Sequence, residues 1–216
     1  MSGKLAIYIV RHGMDNENYR GGWSDSGLIE EGMEQAKLLA NYLSDNKEKY
    51  SINKIISSDL RRAVETAKEI ESKLNIPVKY CSDWREINNG VLAGMDNKDA
   101  LIKYPGLFFN TLDMSERYPN GESPSEFYNR IQSTFLELCN NISTGMEEDN
   151  VMILTHGGVI NVLYYILDNI KWTNKSPKLS KTSTTGMHKI EHIEGKWKIV
   201  MSNSVEHLHY YSEIKN

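Results

Sequence analysis

Short apolar runs alternate along the chain with segments whose apolar residues recur every three or four positions. The first run, residues 5–10, is apolar on both faces and rich in β-branched side chains, which is typical of a buried parallel strand. Shorter runs predict further strands at residues 52–57, 77–80 and 151–154. The three-and-four spacing predicts helices at residues 30–45, 60–74, 124–142 and 159–168.

The end of the chain has a different pattern. Residues 184–193 and 197–203 alternate polar and apolar side chains on either side of Glu194-Gly195, which predicts an antiparallel hairpin. Because the other strands alternate with helices, we expect an α/β fold. It would be a three-layer sandwich with a mostly parallel central sheet, helices on both faces and a C-terminal antiparallel hairpin.

One stretch interrupts this regularity. Residues 83–122 contain several glycines and only one short helical segment, near 97–104, so we interpret them as an insertion or lid. No repeat, low-complexity tract or linker divides the chain. We therefore expect one domain over residues 1–216, with the lid as part of it.

Composition narrows the class of function. The net charge of -4 argues against a nucleic-acid partner and requires any anion site to gather positive charge locally. Residues 5–10 are too few to span a membrane, and no other segment approaches a span. Cys81 and Cys139 form no CxxC pair, so we expect free thiols and a cytoplasmic location. The pattern predicts no particular oligomeric state.

In α/β sheets, sites form beyond the carboxyl ends of the strands. The first such place here is Arg11-His12-Gly13. A histidine can attack phosphorus when one ring nitrogen is unprotonated and the other is held by a hydrogen bond. An adjacent arginine presents a planar fork to phosphate oxygens. Alone, this tripeptide fits a polar strand-to-loop transition equally well.

Two more strand ends carry candidate phosphate-binding residues. Glu65 lies four residues after Arg61, a spacing that favours an ion pair between them on a helix. Arg62 has Thr66 at that spacing and stays available, so it is the better phosphate ligand at the start of its helix. His156 precedes two glycines at a helix start and can donate to a phosphate oxygen. Glu86 is a candidate acid for protonating a leaving alkoxide, but spacing does not distinguish it among 29 acidic residues.

Taken together, these segments resemble the histidine phosphatase superfamily, which includes the cofactor-dependent phosphoglycerate mutases. The resemblance runs through nearly the whole chain in ordered motifs. They are Val10-Arg-His-Gly13, Gly22-Trp-Ser-Asp25, Ser57 to Ala67, Glu86 to Gly94, Pro119 to Ser123, Thr155-His-Gly-Gly158 and His207-Leu208.

The resemblance implies roles for individual residues. His12 would become phosphorylated, while Arg11, Arg62 and His156 hold the phosphoryl oxygens and Glu86 serves as acid and then base. Substrate contacts are expected from three further residues: Asn18, Trp23 and Gly157.

No metal and no cofactor is expected, because the sequence contains no P-loop and no carboxylate cluster for Mg²⁺. Four histidines near the end of the chain, His188, His192, His207 and His209, raise the alternative of a metal site. His188 and His192, at i and i+4 of a predicted strand, are better interpreted as exposed strand positions.

Hydrolysis of a small phosphorylated metabolite is the favoured function. A cofactor-dependent phosphoglycerate mutase is the alternative, and a binding protein without catalysis is a third. Residues 91–118 hold only Lys98, Lys103 and Arg117 as basic residues, fewer than the resemblance implies for a mutase. The chain also departs from the family pattern: Met14-Asp15 stands where Glu-Thr or Glu-Ser is common, and the stretch from Asn18 to Trp23 is short.

Overall fold

The computed structural model describes residues 5–214, and a six-stranded sheet lies at its centre. Its order is β3-β2-β4-β1-β5-β6. Strands β1 to β4 pair in parallel, whereas β5 is antiparallel to both β1 and β6. The strands are β1 Ala6–Arg11, β2 Lys54–Ser57, β3 Val78–Tyr80, β4 Asn150–Thr155, β5 Met187–Ile193 and β6 Lys196–Ser204. The predicted α/β fold, with its mostly parallel sheet and C-terminal hairpin, is confirmed.

Helices cover both faces of the sheet. They are α1 Glu30–Asp45, α2 Lys47–Tyr50, α3 Arg61–Leu74, α4 Asn97–Lys103, α5 Pro124–Ser143, α6 Gly157–Leu167 and α7 Glu206–Ile214. Alternate residues of β1 point to opposite faces: Ile7 and Ile9 join the core formed with α5 and α6, while Tyr8 and Val10 join the core formed with α1 and α3. Burial on both faces explains why this strand lacks polar alternation.

The irregular segment between β3 and α5 has a small core of its own. Leu92, Ala100, Leu112 and Tyr118 form it, and α4 is the short helix expected near 97–104. Two 3₁₀ turns, Ser82–Trp84 and Gly90–Leu92, complete its regular structure. The segment therefore packs as a unit beside the carboxyl edge of the sheet, where it carries Glu86.

Two features near the end of the chain differ from expectation. Helix α7 was not predicted; it packs on α1, where Tyr42 donates a hydrogen bond to Glu206. The interpretation of His188 as an exposed strand residue is wrong, because its imidazole is 1% exposed and lies 2.7 Å from the Tyr164 hydroxyl. Strand β5 lies inside the sheet between β1 and β6, and Tyr164 of α6 packs against His188, so this position faces a core.

Several other features bear on the sequence predictions. Cys81 and Cys139 are free thiols, as expected. Within residues 5–214, no helix is both long and apolar enough to cross a membrane. The same residues contain no cluster of three or more histidine, cysteine or acidic side chains arranged to hold a metal ion.

Candidate active site

The sheet register brings three sequence motifs to one edge. Arg11, the last residue of β1, is aligned with Thr155 of β4, and Ser57 of β2 is aligned with Leu154. The residues that follow these strand ends therefore meet. The His12 and His156 ring centroids lie 5.1 Å apart, although 144 positions separate them in the sequence (156 minus 12).

His12 is held in one tautomer. Its Nδ1 lies 2.7 Å from the carbonyl oxygen of Gly13, which can only accept a hydrogen bond, so Nδ1 carries the proton. The other nitrogen, Nε2, accepts a hydrogen bond from Arg62 Nε at 3.1 Å. Burial, then the charges of Arg62 and Arg11, hold the pKa of His12 well below its usual value. The ring is thus neutral, with a lone pair on Nε2 beside a guanidinium.

The backbone of the nucleophile candidate is fixed from the far end of the chain. The Thr185 N–H donates to the carbonyl oxygens of Arg11 and His12, at 3.1 and 3.2 Å. Its hydroxyl is hydrogen-bonded to His207 Nε2 on α7 at 2.8 Å. Thr185 is fully buried with φ of 54°, a conformation that is uncommon for a β-branched residue. These contacts tie the loop before β5 to the strand end that carries His12.

Arg62 lies in the first turn of α3 and is 2% exposed. Its two terminal nitrogens donate to Ser24 Oγ at 3.3 Å and Gly22 O at 2.8 Å, which orients the guanidinium toward the site. Burial lowers the pKa of this guanidinium, but an arginine remains charged at any ordinary pH. Arg61, in contrast, is exposed and pairs with Glu65 at 2.8 Å, so the ion pair expected from their spacing forms, and Arg62 rather than Arg61 lines the cavity.

Arg11 and His156 complete the group of side chains around His12 and Arg62. Arg11 Nη1 donates to Thr182 O at 2.9 Å, and its Nε has no hydrogen-bond partner among the described residues. His156 is fully buried, with Nε2 2.8 Å from Ser58 Oγ. Its pKa is held well below its usual value by burial first and then by the charge of Arg62. Its Nδ1 likewise has no partner among the residues described.

Glu86 faces these groups from the irregular segment. Its Oε2 accepts from the Gly158 N–H at 2.9 Å, at the start of α6, and its Oε1 accepts from the Ile87 N–H at 3.1 Å. The Glu86 carbonyl oxygen accepts from Trp23 Nε1 at 2.7 Å and from Arg130 Nη2 at 3.2 Å. Backbone and side chain are therefore both anchored, and the carboxylate lines the cavity.

A cavity of about 460 Å³ opens above these residues. Arg11, His12, Arg62 and Glu86 line its base. Its outer wall combines aromatic and polar side chains: Tyr19, Phe109, Asn161, Trp172, Ser176 and Lys178. This arrangement can hold an anionic group at the base and a small organic group at the wall.

The three predicted substrate contacts lie in different places. Gly157 lines the cavity. Trp23 does not; it supports Glu86 from behind, with the Arg85 guanidinium 4.6 Å from the centre of its ring. Asn18 is exposed and outside the cavity lining, although its neighbours Glu17 and Tyr19 belong to it. The structure thus brings neither Trp23 nor Asn18 into the cavity.

The sequence and the fold were compared with those of known proteins. The pattern that describes branch 1 of the histidine phosphatase superfamily matches residues 7–205. The chain belongs to this family. The resemblance predicted from the motifs is therefore confirmed, and so is the broad class of phosphoryl-transfer enzyme.

Individual relatives of this histidine phosphatase point the same way. The uncharacterised phosphatase PhoE of Bacillus subtilis is 27% identical, over 94% of this chain and 96% of its own. Human 6-phosphofructo-2-kinase/fructose-2,6-bisphosphatase 4 is 32% identical over 76% of this chain, which spans about a third of that protein (33%). The structure of a mycobacterial glucosyl-3-phosphoglycerate phosphatase superposes with a TM-score of 0.73 and 25% identity, covering 93% of this chain and 99% of its own.

Proposed function

We propose that this protein hydrolyses a small phosphate monoester through a phosphohistidine on His12 Nε2. The observation that carries the proposal is the fixed tautomer of His12, whose Nε2 lone pair is held 3.1 Å from Arg62 Nε. When substrate binds, a phosphoryl oxygen can accept the hydrogen bond from Arg62 Nε in place of His12 Nε2. The Nε2 lone pair is then free to face phosphorus. Arg11, Arg62 and His156 then surround the transferring group.

The chemistry divides into two displacements. In the first, His12 Nε2 bonds to phosphorus while the ester P–O bond breaks, and protonated Glu86 gives its proton to the leaving oxygen. In the second, water attacks phosphorus, the P–N bond breaks, and the Glu86 carboxylate takes the proton from water. Two guanidiniums offset most of the phosphoryl charge, so His12 can take the phosphoryl group without a metal ion.

The cavity wall limits the size of the leaving group. A volume of about 460 Å³ fits a small metabolite. Phe109, from the irregular segment over residues 83–122, forms part of this wall, which supports a lid that shapes specificity within one domain. The net charge of -4 supports a metabolite rather than a nucleic acid as partner. The free thiols support a cytoplasmic location, which fractionation of the source cells would test.

Hydrolysis is favoured over a mutase reaction by the cavity lining. None of the basic residues Lys98, Lys103 and Arg117 lines it, and Lys178 is the only lysine among the described lining residues. The full-length similarity to a phosphatase, PhoE, supports the same choice. If purified protein interconverted 2- and 3-phosphoglycerate rapidly and released little phosphate, the mutase alternative would replace hydrolysis.

The test uses p-nitrophenyl phosphate with EDTA present. Wild-type protein should turn over, His12→Ala should not, and acid-labile phosphate should be trapped on wild type alone. Arg62→Ala should lose at least about 10²-fold in kcat/KM, a loss on the scale of removing one fixed charge donor. Arg61→Ala is the matched control, because Arg61 pairs with Glu65 outside the cavity, and it should stay close to wild type. Full activity of His12→Ala, or no turnover by wild type, would reject the proposal.

A further inference from the structure

A second carboxylate lies within the phosphate site. Asp15 follows the Arg11-His12-Gly13 strand end and forms an isolated antiparallel bridge with Leu28. Its side chain is 17% exposed, lines the cavity, and places Oδ2 3.7 Å from Arg62 Nε. That nitrogen is the one that donates to His12 Nε2. Asp15 therefore shares a guanidinium with the proposed nucleophile.

Asp15 reduces the positive charge at the base of the cavity. Arg11 and Arg62 supply that charge, and the Asp15 carboxylate lies beside the Arg62 guanidinium. The fully buried His156 and the nearly buried His12 are neutral, since burial and the arginines disfavour their charged forms. At the mouth, two further charged residues line the cavity with opposite sign, Glu17 and Lys178. Asp15 thus offsets part of the positive charge that the two guanidiniums present to a phosphoryl group.

The position of this carboxylate matters because a phosphate monoester carries about -1.5 to -2 charges at pH 7. A dianion held by Arg62 would lie next to Asp15, and like charges a few ångströms apart in a partly buried site repel strongly. Either a proton on the phosphoryl group or a proton on the carboxylate removes this repulsion. An ionised carboxylate has only acceptor oxygens, so it also needs such a proton to hydrogen-bond a phosphoryl oxygen.

We propose that Asp15 makes the phosphate site selective for a protonated phosphoryl group, which binds together with one proton shared between a phosphoryl oxygen and the Asp15 carboxylate. The inference rests on the proposed phosphate site at His12 and adds the charge state of its substrate. Residue 15 is where this chain departs from the hydroxyl residue common in the family it resembles. A hydroxyl would donate to phosphate without adding charge.

Calorimetric titration of the full chain with inorganic phosphate tests the inference. It should be run between pH 5.5 and 8.5, in buffers that differ in ionisation enthalpy so that proton uptake is counted. For wild type we expect affinity to fall about tenfold per pH unit once phosphate has lost its second proton, with uptake near one proton at pH 8. For Asp15→Asn we expect roughly tenfold tighter binding at pH 8 and uptake near zero.

Two further variants make the result decisive. Glu17→Gln removes a carboxylate from the mouth of the same cavity and should keep the wild-type pH profile. Asp15→Thr restores a neutral hydroxyl and should behave like Asp15→Asn, so it replaces that variant if Asp15→Asn does not fold. Weaker binding by both Asp15 variants at pH 8, or an unchanged proton uptake, would overturn the inference and assign Asp15 to holding Arg62 in place.

Failure of the proposed function is separately visible. Phosphate binding does not require turnover, so proton-linked binding by a protein without phosphatase activity leaves the inference standing and rejects hydrolysis. Turnover by wild type with no change in proton linkage in the Asp15 variants rejects the inference alone. Absence of phosphate binding by wild type at every pH rejects both.

Discussion

The substitution Gly158→Ala should slow proton transfer from Glu86 to the leaving group without affecting phosphoryl transfer to His12. In Gly158→Ala, the new Cβ would lie 2.9 Å from Glu86 Cδ and closer still to Oε1. Because the carboxylate is the end of a flexible side chain, it is the group that moves, and it loses its hydrogen bond from the residue 158 N–H. The three atoms nearest to this Cβ all belong to Glu86, so His12 and Arg62 should keep their positions.

The expected magnitude follows from the role of the acid. General acid–base catalysis contributes about 10²–10⁴-fold, so a displaced Glu86 should cost about 10²-fold in kcat for alkyl phosphates, whose leaving oxygen needs a proton. With p-nitrophenyl phosphate, whose leaving group departs without a proton, we expect a loss below about fivefold. The fold should tolerate the change, since alanine is favoured over glycine in a helix by about 1 kcal/mol.

The assay compares kcat for the two kinds of substrate across matched variants. Gly157→Ala is the comparison, because a Cβ there leaves Glu86 in place and comes no closer than 3.8 Å to Arg11; since Gly157 lines the cavity, any effect should be the same for both substrates. Glu86→Gln should reproduce the substrate-dependent pattern of Gly158→Ala. Equal slowing of both substrates by Gly158→Ala, or equal effects of the two glycine variants, would refute the placement of Glu86 as the acid.

Two further predictions concern the cavity wall and stability. Lys178 lines the cavity, and its ammonium has no hydrogen-bond or ion-pair partner among the described residues. Lys178→Ala should therefore raise KM about fivefold for esters with a second anionic group. Lys175→Ala, outside the lining, is the control, and an equal rise of KM in both variants would contradict substrate binding by Lys178. Burial lowers the pKa values of His188 and His207 to about 4 in the folded protein. In the unfolded protein a histidine has a pKa near 6.5, so between about pH 4 and about pH 6.5 the unfolded state binds more protons than the folded state. The free energy of unfolding should fall as pH drops from about 6.5 to about 4, by up to about 3 kcal/mol for each imidazole, and a flat profile in urea titrations would contradict this.

The meeting of His12 and His156 was predictable because adjacent parallel strands place their carboxyl ends at the same edge of the sheet. Once residues 5–10 and 151–154 are interpreted as adjacent buried strands, their carboxyl ends must share an edge, and His12 and His156 follow those ends. The choice of Arg62 over Arg61 depended only on the helical spacing to Glu65. Such local rules need no knowledge of the remaining chain.

Other parts depend on contacts that spacing does not encode. The position of Glu86 is fixed by Trp23 and Arg130, which reach it from distant segments. Helix α7 is stabilised by packing on α1 rather than by a strong amphipathic pattern of its own. Thr185, which holds the His12 backbone, carries no sequence signal at all. Its role becomes visible only when the loop before β5 is placed beside β1.

The location of β1 in the sheet has a consequence for biosynthesis. Both of its neighbours, β4 and β5, lie at least 139 residues later in the sequence (150 minus 11). During translation the hexapeptide Ala6–Arg11, which is apolar and rich in β-branched residues, therefore leaves the ribosome long before either partner strand exists. It combines high β-propensity with a single charge, a composition prone to intermolecular association. Nascent chains that end before residue 150 should thus depend on chaperones to keep this segment from aggregating.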